Sequence, residues 1–244
     1  MMDNAKQVLQ FIDGLLSADL VRYQLYTSGM QRLLVSAMIE ADLSEKTASD
    51  FHKQVLDFLL KAQSAERDSI DAQIQRLLTL TGLPASTTGD ALVQTATEEL
   101  KDAMTSQMRR DALTVETHFQ RIRTTAYLIN ESRRMGAAQA MRLAYLQNKS
   151  LMRTVFVDRA GRRWQSGTYV RTVFREHYLG LVNDLEVLRL GEQGLDRAAY
   201  RYPDGHEISF GIGRTVGLPS YEETKRLHFH PNSSALVHGI LTTE

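Results

Sequence analysis

The 244 residues contain no cysteine. Disulfides, thiolate metal sites, iron–sulfur clusters and cysteine nucleophiles are therefore excluded, and the fold has no redox requirement. The first residues, Met1-Met2-Asp3-Asn4-Ala5-Lys6, lack a basic stretch leading into an apolar core. No apolar run approaches the ~18 residues of a membrane span, which predicts a soluble chain without membrane contact. Internal repeats and low-complexity tracts are missing too. Net charge is also absent, with 29 Lys and Arg against 29 Asp and Glu.

That balance hides a segregation. Residues 1–104 carry 9 basic against 15 acidic side chains, residues 105–175 carry 14 against 4, and residues 176–244 carry 6 against 10. The middle segment, at +10, favours an acidic partner, either nucleic acid or an acidic protein surface, through an attraction that salt weakens. The alternative is that acidic helices of the same molecule cover it. The hydrophobic fraction of 43% is enough for an ordinary core.

What is present reads first as helix. Phe11, Ile12, Leu15, Leu16, Leu20, Tyr23, Met30, Leu33, Leu34 and Met38 recur mostly at three- and four-residue steps, one long helix or two meeting near Ser28-Gly29. Asp42-Leu43-Ser44 offers an N-cap to a second helix that ends before Thr81-Gly82-Leu83-Pro84. Asp90 can cap a third, in which Met108, Ala112, Val115, Phe119, Ile122, Ala126 and Ile129 alternate steps of four and three. Gly136 is the expected point of bending or breaking. The texture changes after Ser150. Residues 154–165 read as strand, tight turn and strand, and Ser166 can cap a further helix that closes near Gly191 and Gly194. A second hairpin then turns at Pro203-Asp204-Gly205. The expected fold class is α+β and predominantly helical. An elongated helical region spans 1–150, and a small module of β-hairpins around a helix spans 151–244.

Catalytic chemistry finds little support. His177, His206, His228, His230 and His238 crowd the last third, but no carboxylate stands at a ligand spacing and there is no His-Glu-x-x-His helix. Ser233-Ser234 lacks a nucleophile elbow, and Gly211-Ile212-Gly213 lacks the third glycine of a dinucleotide loop. Glu222-Glu223 reads as a charged surface pair. No enzyme activity, cofactor or metal is expected. The candidate contacts for a polyanion or protein partner are Arg109, Arg110, Arg121, Arg123, Arg133, Arg134, Arg159, Arg162, Arg163, Arg171 and Arg175, several of them interleaved with Phe156, Trp164, Tyr169 and Phe174.

The C-terminal order carries a resemblance. It runs through Asp158-Arg159-Ala160-Gly161-Arg162-Arg163-Trp164, a helix with Tyr169-Val170-Arg171-Thr172-Val173-Phe174-Arg175-Glu176-His177-Tyr178, a Gly205-x-Glu207-Ile208-x-Phe210 strand and a terminal Phe229-His230-Pro231-Asn232. Over roughly residues 150–240 this resembles the minor head, or head morphogenesis, proteins of tailed bacteriophages, the Mu F-like and minor capsid type. Ser233 stands where that family usually has cysteine, so a metal role does not carry over. The resemblance implies a structural virion protein, in the capsid interior or at the portal vertex after assembly in the host cytoplasm. It would contact the portal or other capsid proteins, with phage DNA as a nonspecific partner and a homo-oligomer as an option. A nonspecific nucleic-acid-binding protein and a head-to-tail connector component are the competing readings.

Overall fold

The computed structural model describes residues 2–40, 43–83, 87–148, 155–157, 163–213, 215, 217–228 and 234–240. The elements are α1 (Met2–Glu40), α2 (Glu45–Thr81), α3 (Thr87–Arg133), α4 (Ala137–Asn148), β1 (Val155–Val157), β2 (Arg163–Gln165), α5 (Ser166–Glu192), β3 (Arg197–Arg201), β4 (Glu207–Gly211), α6 (Tyr221–His228) and β5 (Leu236–Gly239). The protein is thus predominantly helical with a small β component, as the periodicities indicate. Two compact units divide it. One comprises Met1–Asp19, Ser69–Asp102 and Arg171–Glu244, the other Leu20–Asp68 and Ala103–Val170.

By composition the first unit holds 11 basic and 18 acidic side chains, a net −7, and the second 18 and 11, a net +7. We call them the acidic and the basic unit.

The basic unit is built from helix stripes. Tyr23, Tyr26, Met30, Leu34 and Met38 of α1, Phe51, Val55 and Leu59 of α2, and the heptad-spaced Met108 to Ile129 of α3 are all buried. Phe51 and Phe119 stack at 4.2 Å between ring centroids. Gly29 does not divide α1, which runs unbroken. Instead a Cβ at Gly29 would lie 2.3 Å from Phe58 Cζ, so the position is glycine because a ring from α2 occupies the space. Helix ends follow the capping signals. The Thr47 N–H donates to Ser44 Oγ at 3.3 Å, opening α2. The break after α3 falls where Gly136 suggested, but the left-handed residue is Arg134, with φ of 50°. β1 pairs antiparallel with β2, setting Val155 opposite Gln165 and Val157 opposite Arg163. The tight turn expected between them lies outside the described residues.

The acidic unit buries Ile12, Leu15 and Leu16 of α1, Ile70, Ile74 and Leu77 of α2, and Phe174, Tyr178, Leu181 and Leu185 of α5. Gly82, at φ of 60°, ends α2 with its N–H donated to Leu78 O. α3 starts at Thr87, so Asp90 sits in its first turn rather than at its cap. α5 closes in a Schellman arrangement in which Leu195 N–H reaches Leu190 O and Gly194 N–H reaches Gly191 O, with Gly194 at φ of 78°. The hairpin turn is closed by Gly205 N–H to Tyr202 O at 2.9 Å, and Asp204 Oδ1 accepts from His206 N–H. The sheet has the order β4-β3-β5, all antiparallel, over a cluster of Leu190, Ala198, Tyr200, Phe210, Ala235 and Val237. β5 was not foreseen. Its outer edge is occupied by buried Asn183 of α5, which accepts from Val237 N–H at 2.9 Å and donates to Ala235 O at 3.2 Å.

Candidate functional site

The basic residues are best followed along α3. At ~100° per residue, Arg110 and Arg121 fall within about 20° of each other, Arg109 and Arg123 within about 40°, and Arg133 on a third direction. Arg110 and Arg121 thus lie opposite the buried stripe and Arg109 lies to one side, while Arg123 borders the stripe and Arg133 continues its direction at the exposed end of the helix, so the cations point several ways rather than in one row. Arg109, Arg121, Arg133 and Arg134 are exposed, and no partner for them occurs among the described residues. Arg110 Nη2 donates to Gln107 Oε1 at 2.7 Å, and its guanidinium lies 5.7 Å from the Tyr169 ring centroid. Arg123 is half-buried, donating to Leu43 O at 3.3 Å and pairing with Glu45. Exposed Leu113 and Leu128 share the outward side of α3 with Arg110 and Arg121.

Arg171 and Arg175 belong to the acidic unit. Arg171 is exposed, whereas Arg175 donates to Ser234 Oγ at 2.7 Å and reaches Asp13 Oδ1 at 3.4 Å. Arg163 has a place in β2, while Arg159, Arg162 and the terminal Phe229, His230, Pro231 and Asn232 lie outside the described residues.

Sequence reasoning missed the acid at the centre of the basic segment. Asp111 is buried and accepts from Tyr23 Oη, from Gln107 Nε2 at 3.0 Å and from Ser166 Oγ at 3.1 Å. Burial raises its pKa despite those three donors, which lower it. The acidic unit holds a counterpart. Tyr178 Oη donates to Asp19 Oδ2 at 3.0 Å and also touches Gln73 Oε1, with all three residues buried. Neither pairing shows in spacing, because the residues are 88 and 159 positions apart.

Several other titratable groups are paired. Lys101 Nζ lies 2.6 Å from Asp71 and 2.9 Å from Glu98. Burial alone would pull its pKa down, but the two carboxylates outweigh that and the net shift is upward. Asp184 takes Lys225 Nζ at 2.6 Å and the Tyr221 hydroxyl. Glu223 is part of a capping box with Ser220 at the start of α6, and the Ser220 N–H holds its carboxyl below the usual range. Among the described residues no three His, Asp or Glu side chains are grouped to hold a metal ion. No described helix is long and apolar enough to cross a membrane.

A family model described as phage minor capsid protein 2 matches residues 26–202. The chain belongs to the phage minor capsid protein 2 family. Most of that match lies in the helices. The resemblance drawn from residues 150–240 overlaps it only as far as Tyr202, and Phe229 to Asn232 lie beyond it. No curated protein and no solved structure matches the chain. As a phage minor capsid protein it is a structural component of the virion that works in contact with other virion proteins.

Proposed function

We propose that this minor capsid protein assists head assembly or genome delivery by holding a polyanionic surface against its basic segment. The surface is packaged DNA or an acidic face of the portal, in the capsid interior or at the portal vertex. The observation that carries this is the basic unit's charge of +7, together with four exposed arginines, Arg109, Arg121, Arg133 and Arg134, that no described residue neutralises. Exposed cations that point in several directions along α3 and just past its end suit a partner read by its charge rather than by a sequence of bases. The family's structural character agrees with a role of contact rather than turnover.

The test is titration of the full-length protein with duplex DNA and, separately, with purified portal, at about 50 and 200 mM salt. Affinity is expected to fall steeply with salt for the true partner. Replacing all four arginines by alanine should reduce the slope of log K against log salt by about 3 to 4 for DNA. Binding that ignores salt in both titrations would overturn the reading, and the arm that responds names the partner.

A further inference from the structure

The apolar residues of α1 that face away from its core are not scattered. Val21, Leu25, Ser28, Arg32, Val35 and Ile39 follow steps of 4, 3, 4, 3 and 4. This heptad stripe lies along the outer side of the helix, all of it within the basic unit. Val21 is 55% exposed, Leu25 63% and Ile39 56%; Ser28 and Arg32 are exposed and Val35 is half-buried. The stripe spans about 27 Å at ~1.5 Å per residue, the length of seam over which a helix pair packs side by side.

Its chemistry is palindromic about Met30, reading apolar, apolar, polar, polar, apolar, apolar. We propose that this stripe is a self-recognition surface on which a second copy of the chain docks antiparallel, Val21 against Ile39, Leu25 against Val35 and Ser28 against Arg32. A two-fold contact must be self-complementary, and this order is. Charge selects the direction. Parallel pairing would stack Arg32 on Arg32, whereas antiparallel pairing sets each Arg32 beside a serine hydroxyl able to accept from it. The exposed flanking residues Gln24 and Gln31 add no charge. Local balance favours this face as well. Residues 20–68 carry 6 basic and 7 acidic side chains, whereas residues 103–170 carry 12 and 4. The outer side of α3 would bring four arginines into a symmetric seam, while that of α1 brings two. The pairing is independent of polyanion binding, because it uses none of the arginines assigned to that role.

Sedimentation velocity of the full-length protein across a concentration series is expected to show a dimer that persists at high salt. Leu25→Glu, an exposed change that leaves the fold intact by circular dichroism, should weaken it at least tenfold. Direction is read by cross-linking, for which the absence of cysteine is convenient. Ser28→Cys and Arg32→Cys proteins, mixed and oxidised, should form a mixed disulfide dimer faster than either forms its own. A wild type that stays monomeric throughout overturns the proposal, as does a dimer indifferent to Leu25→Glu. Faster self-cross-linking of each single variant overturns the antiparallel arrangement.

Discussion

Of the eleven large hydrophobic side chains exposed among the described residues, nine lie in the basic unit and two, Leu80 and Leu227, in the acidic one. The basic unit therefore concentrates both outward apolar surface and outward positive charge. The acidic unit turns its polar groups on one another, through Lys101 with Asp71 and Glu98, Asp184 with Tyr221 and Lys225, and Arg201 with Glu207. A protein that assembles with others needs surface left unsatisfied, and here one unit supplies most of it. The other spends its polar groups on holding a small sheet and its helices together.

The strongest way to probe this division is to empty each core in turn. Phe119→Ala in the basic unit and Phe210→Ala in the acidic unit, both fully buried residues, should each cost about 3–5 kcal/mol. Trp164, the single tryptophan, falls in the basic unit. Urea unfolding followed by its fluorescence should therefore shift more for Phe119→Ala than for Phe210→Ala. Equal shifts would mean that the two units unfold as one. A smaller effect sharpens the account of the acidic unit. Asn183→Ala strips the buried Val237 N–H and Ala235 carbonyl of their partner and should cost about 3 kcal/mol, with faster amide exchange at Val237. If exchange there is unchanged, Asn183 is not what closes the sheet.

The smallest expected effect depends on pH. Asp111 has a raised pKa in the folded protein because burial outweighs its donors. Its contribution to stability is therefore greatest below the ordinary carboxylate range and declines as pH rises through the folded value. Tyr23→Phe removes one donor to the carboxylate and raises that value further. The variant should be less stable by about 1–3 kcal/mol near neutrality, and the deficit should narrow in acid, where Asp111 is protonated in both proteins. Denaturation at two pH values checks this, and a deficit that grows in acid would contradict it.

Much of the architecture was legible from local signals. The Ser44 cap, the glycine after Thr81, the break near Gly136, the closure at Gly194 and the Pro203-Asp204-Gly205 turn each depend on a few adjacent residues whose backbone preferences act alone. What escaped was non-local. β5 has four residues and gains its identity from pairing with β3 across more than thirty positions. Asp111 looked like one acid in a basic stretch until Tyr23 and Ser166 met it. The candidate arginines were legible as a charged segment, but which of them are engaged was not. That Arg123 pairs with Glu45 and Arg175 with Ser234 depends on distant helices and strands.

The close seat of the Phe58 ring against Gly29 has a mechanical meaning. Smooth helices packed by ridges and grooves can roll or slip by a fraction of a turn at modest cost. A ring lodged where no Cβ fits works as an indexing pin, since rolling α1 would drive backbone into the ring. The azimuth of α1 is thereby set from inside the basic unit, and with it the direction in which Val21, Leu25 and Ile39 point. A methyl group at position 29 would have to push the pin out, and the outward stripe would lose its aim before the helix lost its shape.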